Sequence, residues 1–119
     1  MVYFLSDNII SSLGFSSLEN FNALLSGKIG IKTVDDKAYY PEPFPASLVS
    51  SEALEQKFNK TGRADKYPRL EKMLIRSVQD ALSQTNVDIG SEKTGIIIST
   101  TKGNIDLLEP EKQNLFEPE

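Results

Sequence analysis

Six basic residues, Lys60, Arg63, Lys66, Arg69, Lys72 and Arg76, recur every three or four positions, and only Asp65 and Glu71 interrupt them as acids. This segment holds six cations against two acids, while the rest of the chain holds seven against fifteen, a net +4 beside −8. The chemistry open to such a series is electrostatic recognition. Its ordinary role is a solvated helix face whose long stems cover apolar surface. Its functional role is a dock for an acidic partner. Nucleic acid is not the expected partner, because the whole chain is acidic with a pI of about 4.9 and the stripe has no Gly-rich platform.

A second polar group is Ser99-Thr100-Thr101-Lys102-Gly103-Asn104, directly after an apolar run. In an open α/β sheet, ligands bind at that end of a strand. A phosphate-binding loop needs Gly-x-x-x-x-Gly-Lys followed by Ser or Thr, whereas here Lys102 precedes a single Gly, so a turn is expected instead. Asp35-Asp36 and Asp106/Glu109 lack the ligand number and spacing of a hard-metal loop. Tyr39 and Tyr40 flank prolines and are expected to pack their loop.

The absences are as informative. The 119 residues include no Cys and no His. Thiolate nucleophiles, disulfides, zinc thiolates and imidazole-based triads are therefore excluded from this chain. No cofactor or metal site is expected. The longest apolar runs are too short to span a bilayer, and the first residues lack the basic region of a secretory signal, so a cytoplasmic protein without membrane contact is expected.

The elements that must position these groups follow from the pattern. Val2-Tyr3-Phe4-Leu5 suits a strand, which Ile9-Ile10 extends or bends. Ser16 and Glu19 form a capping box, and Leu18, Phe21, Leu24 and Leu25 repeat at helical spacing, which predicts a helix over 17–26 closed by Gly27. Residues 28–50, with Pro41, Pro43 and Pro45, read as loop pinned by Tyr39, Tyr40 and Phe44. Ser51 caps a short helix through Phe58. Tyr67, Leu70, Met73, Leu74, Val78, Ala81 and Leu82 predict a helix over 67–85 with Pro68 in its first turn. The run Thr94–Thr100 reads as a strand covered on both faces, of the kind found in parallel sheets between helix layers. Gly103 and Asn104 then turn the chain, and Ile105 to Leu108 begin another helix.

This order belongs to an α/β layered domain, yet two strands cannot complete such a core. The chain is therefore expected to be part of a longer protein, with residues 1–109 a partial domain and 110–119 an acidic tail or the start of a further helix. The alternative is a small autonomous α+β adaptor that binds an acidic protein through residues 60–76. The partial-domain reading predicts an open strand edge at Ile96–Ile98, and hence a homo-oligomer or pairing with the missing C-terminal part.

Ile9-Ile10-Ser11-Ser12-Leu13-Gly14, then Phe21, then Leu24-Leu25-Ser26-Gly27-Lys28-Ile29-Gly30-Ile31 resembles the opening of the β-ketoacyl synthases of the thiolase fold, with their "VSPLG", "FW" and "LLAGRSGI". Ser77–Leu82 resembles the family's "A..EAL" helix end, and Thr94–Asn104 its "VGVIIGTGIGG" strand and turn. The matches run in order from about residue 2 to residue 109. Ser12 stands where the family has Pro, and Thr101, Lys102 and Asn104 also depart. The resemblance implies an incomplete N-terminal portion of a thiolase-like layered fold. Its parent would condense an acyl group, held on a cysteine, with a malonyl thioester on acyl carrier protein, in fatty acid or polyketide-type biosynthesis. The family's Cys and two His lie beyond this stretch, so no catalytic residue carries over and the chain alone is expected to be inactive. The resemblance places Lys66, with Lys60, Arg63 and Arg69 nearby, at a carrier-docking face. It places Thr101, Lys102 and Gly103 at a turn near the acyl pocket and subunit interface.

Overall fold

The computed structural model describes residues 1–58 and 66–108. Lys60, Arg63, Asp65, Glu109 and the tail 110–119 lie outside the described residues. In chain order the elements are α1 (Ser17–Leu25), β1 (Lys32–Val34), β2 (Phe44–Ala46), α2 (Ser51–Phe58), α3 (Arg69–Leu82) and a 3-10 turn (Ile105–Leu108). The protein thus combines α and β elements, with its β structure confined to a two-stranded antiparallel sheet.

Helix α1 starts and stops on local chemistry. Ser16 holds an extended backbone, and its Oγ accepts the Glu19 N–H at 3.1 Å. Glu19 reaches back to accept the Phe15 N–H at 2.6 Å, so the pair satisfies two amides that no helical carbonyl can reach. At the other end Gly27 has φ +70°. Its N–H bonds Leu24 O at 3.0 Å, and the Lys28 N–H bonds Ala23 O at 3.0 Å. This is the left-handed closing motif that favours glycine.

The turn before α1 is held by one residue. Asn20 is buried, and its amide Nδ2 donates to the carbonyls of Ile9 (3.0 Å), Gly14 (3.2 Å) and Ser16 (2.9 Å). Its Oδ1 accepts from the Ser11 hydroxyl. Ser11 and Gly14 bridge each other across the turn. A Cβ at Gly14 would stand 2.5 Å from the Glu19 Cβ, so no larger residue fits there unaltered. Ser12, where the resembled family has Pro, donates to Gly30 O at 3.0 Å and meets the Ser47 hydroxyl at 2.8 Å. Its hydroxyl ties the turn to the segments on either side of the sheet.

That sheet corrects the reading of 28–50 as loop. Lys32, Thr33 and Val34 pair with Ala46, Pro45 and Phe44. Pro45 is tolerated because both strands of a two-stranded sheet are edges. Phe44 is half-buried and packs edge-on against Tyr40, with ring centroids 6.2 Å apart, whereas Tyr39 and Tyr40 are exposed and do not pin the loop to a core.

Helix α2 agrees with its predicted span, but its cap is one residue earlier: Ser50 Oγ accepts the Ala53 N–H at 3.2 Å. Leu54 and Phe58, four residues apart on one face, are each 1% exposed and form the centre of the core. Phe58 meets Tyr67 edge-on at 5.7 Å. Helix α3 begins at Arg69, with Pro68 at the cap position rather than inside the first turn, and ends at Leu82 rather than residue 85. Its apolar face is half-buried against its neighbours, and none of its 14 residues is fully buried.

Two predicted strands are absent among the described residues. Val2–Leu5 has no regular structure, and all four side chains are exposed. The run Thr94–Thr100 is likewise without regular structure, with Ile96, Ile97 and Ile98 exposed by 61%, 96% and 64%. A strand is defined by its partners, and within these residues the only completed ladder is the β1/β2 pair.

Candidate functional site

The basic residues on α3 divide by what they touch. Arg69 reaches toward α2, donating to Ser51 Oγ at 2.6 Å and to Val49 O, and so fixes the approach to that helix. Lys72 Nζ lies 2.6 Å from Glu55 Oε1 on α2, with its side chain only 12% exposed. Arg76 pairs with Asp80 one turn along at 3.2 Å. These three cations serve contacts within the chain, which is the covering role expected of long basic stems. Lys66 is exposed just before α3 and, among the described residues, has no ion-pair partner. Among the described cations of the stripe, it is the one with no contact within the chain given for its side chain. Lys60 and Arg63 lie outside the described residues.

A second set of charges joins α1 to α2. Lys57 Nζ lies 3.2 Å from Glu19 Oε1, and the same ammonium stands 5.2 Å from the centre of the Phe15 ring. The Glu19 carboxyl is held below its ordinary value, first by the Phe15 N–H bond and then by Lys57, with partial burial opposing. Glu19–Lys57 and Glu55–Lys72 thus link α1, α2 and α3 in sequence and engage these four charges within the chain.

The turn after the Ile run is built as expected of a turn. Gly103 has φ +58°, and its N–H donates to Thr100 Oγ1 at 3.0 Å. Thr101 and Lys102 are exposed. Asn104 donates to Glu71 Oε1 at 2.8 Å, which ties the turn to the first turn of α3. The structure therefore brings the turn 101–104 close to the beginning of the basic helix, while Lys102 itself projects into solvent.

An open apolar hollow of about 350 Å³ is lined by Tyr39, Tyr40, Phe44 and Leu48. Its lining residues carry no charged side chain, so its walls offer contact area without catalytic chemistry. Among the described residues no cluster of His, Cys, Asp or Glu is placed to hold a metal ion, and no helix is long and apolar enough to cross a membrane. The residue that sequence reasoning missed is Asn20. Its signal was an amide side chain inside a helix, a position where such groups serve by bonding nearby backbone.

Compared with protein-family models, with curated proteins and with solved structures, the chain matches none.

Proposed function

We propose that this chain is the N-terminal part of a β-ketoacyl synthase-like condensing enzyme of the thiolase fold, and that its own functional surface is a docking face for an acidic acyl carrier protein around Lys66, with Lys60 and Arg63. The observation that carries the reading is the ordered run of motifs from "ISSLG" through "LLSGKIGI" to "TGIIISTTKGN". It is supported by the exposure of Val2–Leu5 and Ile96–Ile98, two segments of strand composition that sheet neighbours outside these residues would cover. The chain has no Cys and no His, so the acyl-holding thiol and the decarboxylating imidazoles of a condensing enzyme would come from elsewhere in the parent. This part would hold the carrier close while those residues act.

Docking through Lys66 is a long-range attraction between a cation and an acidic partner, so it is sensitive to salt. Titration with an acidic acyl carrier protein at low ionic strength is expected to show weak binding that high salt abolishes. Lys66→Glu with Arg63→Glu is expected to weaken it at least about tenfold. Binding that survives both changes would overturn the docking face. For the parent, the coding sequence beyond Glu119 should continue in frame and contain a Cys followed by two His; a stop codon there would exclude condensing activity for this product. The adaptor alternative would use the whole stripe from Lys60 to Arg76, and the internal pairing of Arg69, Lys72 and Arg76 leaves it fewer free cations.

A further inference from the structure

The start of α3 carries cations that no carboxylate of the described residues neutralises. Lys66 is exposed and forms no ion pair among those residues. Arg69 is exposed, and its guanidinium donates to two uncharged oxygens, Ser51 Oγ and Val49 O, so its charge stays uncompensated. Lys72, one turn on, differs because it pairs with Glu55 at 2.6 Å. Glu71, the acid of the first turn of α3, accepts from the uncharged Asn104 amide at 2.8 Å. That bond anchors the 101–104 turn at this end of α3, and the 3-10 turn Ile105–Leu108 follows it directly. The stretch 109–119 therefore has its root beside these cations. It holds Glu109, Glu111, Glu117 and Glu119 against Lys112 alone, a net −3.

We propose that residues 109–119 act as a strap that folds back onto Lys66 and Arg69 and competes there with an acidic partner. Length permits it. A 3-10 turn rises about 2 Å per residue, so Leu108 stands about 8 Å along the chain from Asn104. At most about 18 Å of extended chain separates Glu71 from Lys66, and the eleven residues of the stretch reach about 36 Å. Charge favours it. Four acids meet two cations that lack a carboxylate, over distances at which salt of about 0.15 M screens only in part. A tethered acid is also present at an effective concentration in the millimolar range, enough to occupy a weak surface site for much of the time. Lys32 and Lys37 are exposed too, but they flank Asp35 and Asp36 in the sequence, which lowers their pull on a distant carboxylate. The strap regulates the docking face proposed above, and depends on that reading only for the identity of the competing partner.

Zero-length carbodiimide coupling of the full chain tests the strap without any partner. In the monomer at low ionic strength, Lys66 should couple to a glutamate of 109–119 about fivefold more than Lys28 or Lys37, which are also exposed, and high salt should abolish the difference. A second measurement reads the competition. Replacing Glu109, Glu111, Glu117 and Glu119 by Gln should tighten binding of a polyglutamate peptide about threefold, and adding Lys66→Gln should remove that gain. The strap is overturned if 109–119 couples to Lys66 no more than to Lys28 or Lys37, or couples only to Lys102, its near neighbour along the chain. It is equally overturned if the four-Gln variant binds the peptide no better, or if the gain survives Lys66→Gln. Acyl carrier protein in place of the peptide tests the earlier reading separately. Coupling to Lys66 and competition with the peptide, without any binding of the carrier protein, would support the strap and overturn the carrier as its competitor.

Discussion

The turn before α1 and the run before the 101–104 turn are both short and both contain Ile and Ser; the first follows one predicted strand, and the second is the other. They end in opposite states. Around α1, residues 9–20 satisfy their polar groups at short sequence distance: Asn20 gathers three carbonyls and one hydroxyl, and Ser16 and Glu19 cap the amides. At Thr94–Thr100 only the two end Thr hydroxyls make such bonds, Thr94 to Asp88 O and Thr100 from the Gly103 N–H, and among the described residues the Ile backbone between them makes none. A segment that carries its own hydrogen-bond partners is ordered by the chain itself, whereas one made of Ile must find them on another strand.

The strongest way to break this comparison is to remove the carrier of the first state. Asn20→Ala strips partners from four backbone and side-chain groups at a buried position. It should cost about 2–3 kcal/mol of unfolding free energy, read by urea denaturation. Ile97→Ser, on the open segment, should shift the midpoint by less than about 0.5 kcal/mol because the side chain is already in water. Comparable losses at the two sites would erase the distinction.

Gly27 tests the closing of α1 by conformation alone. An added Cβ there meets no atom within 4 Å, so Gly27→Ala should cost only the left-handed backbone penalty, about 1 kcal/mol. Gly27→Asn should recover part of it. An unchanged stability for the Ala variant would mean that α1 does not end in this motif.

The smallest effect is one of pH. The folded-state pKa of Glu19 lies below its unfolded value, so the ionised carboxylate favours the folded chain. Its contribution is complete above the ordinary carboxyl range of about 4.3 and is lost as the pH falls through the lowered folded value. Glu19→Gln should therefore flatten the acid limb of the stability curve and leave its shape above pH of about 6 unchanged. An acid limb identical in both proteins would remove Glu19 from the account.

The helices were legible because their causes are local. Ser16, Glu19 and Gly27 stand at the positions that open and close α1, and the 3.6-residue repeat of Leu70, Met73, Leu74 and Val78 marks α3. The β1/β2 pair was not legible. Pro41, Pro43 and Pro45 argue against a central strand, and only the meeting of Phe44 with Val34 shows that an edge strand fits.

The candidate site divides the same way. Composition by itself determined that this chain holds no thiol or imidazole, and spacing determined that six cations recur near α3. Only the tertiary structure decided which of them are spent: Glu55 takes Lys72, Ser51 and Val49 take Arg69, and Lys66 is left exposed. Caps and periodicities act over three or four residues, so one segment contains both cause and effect. Ion pairs and strand ladders join residues far apart in the chain, and their partners exist only once the elements are brought together.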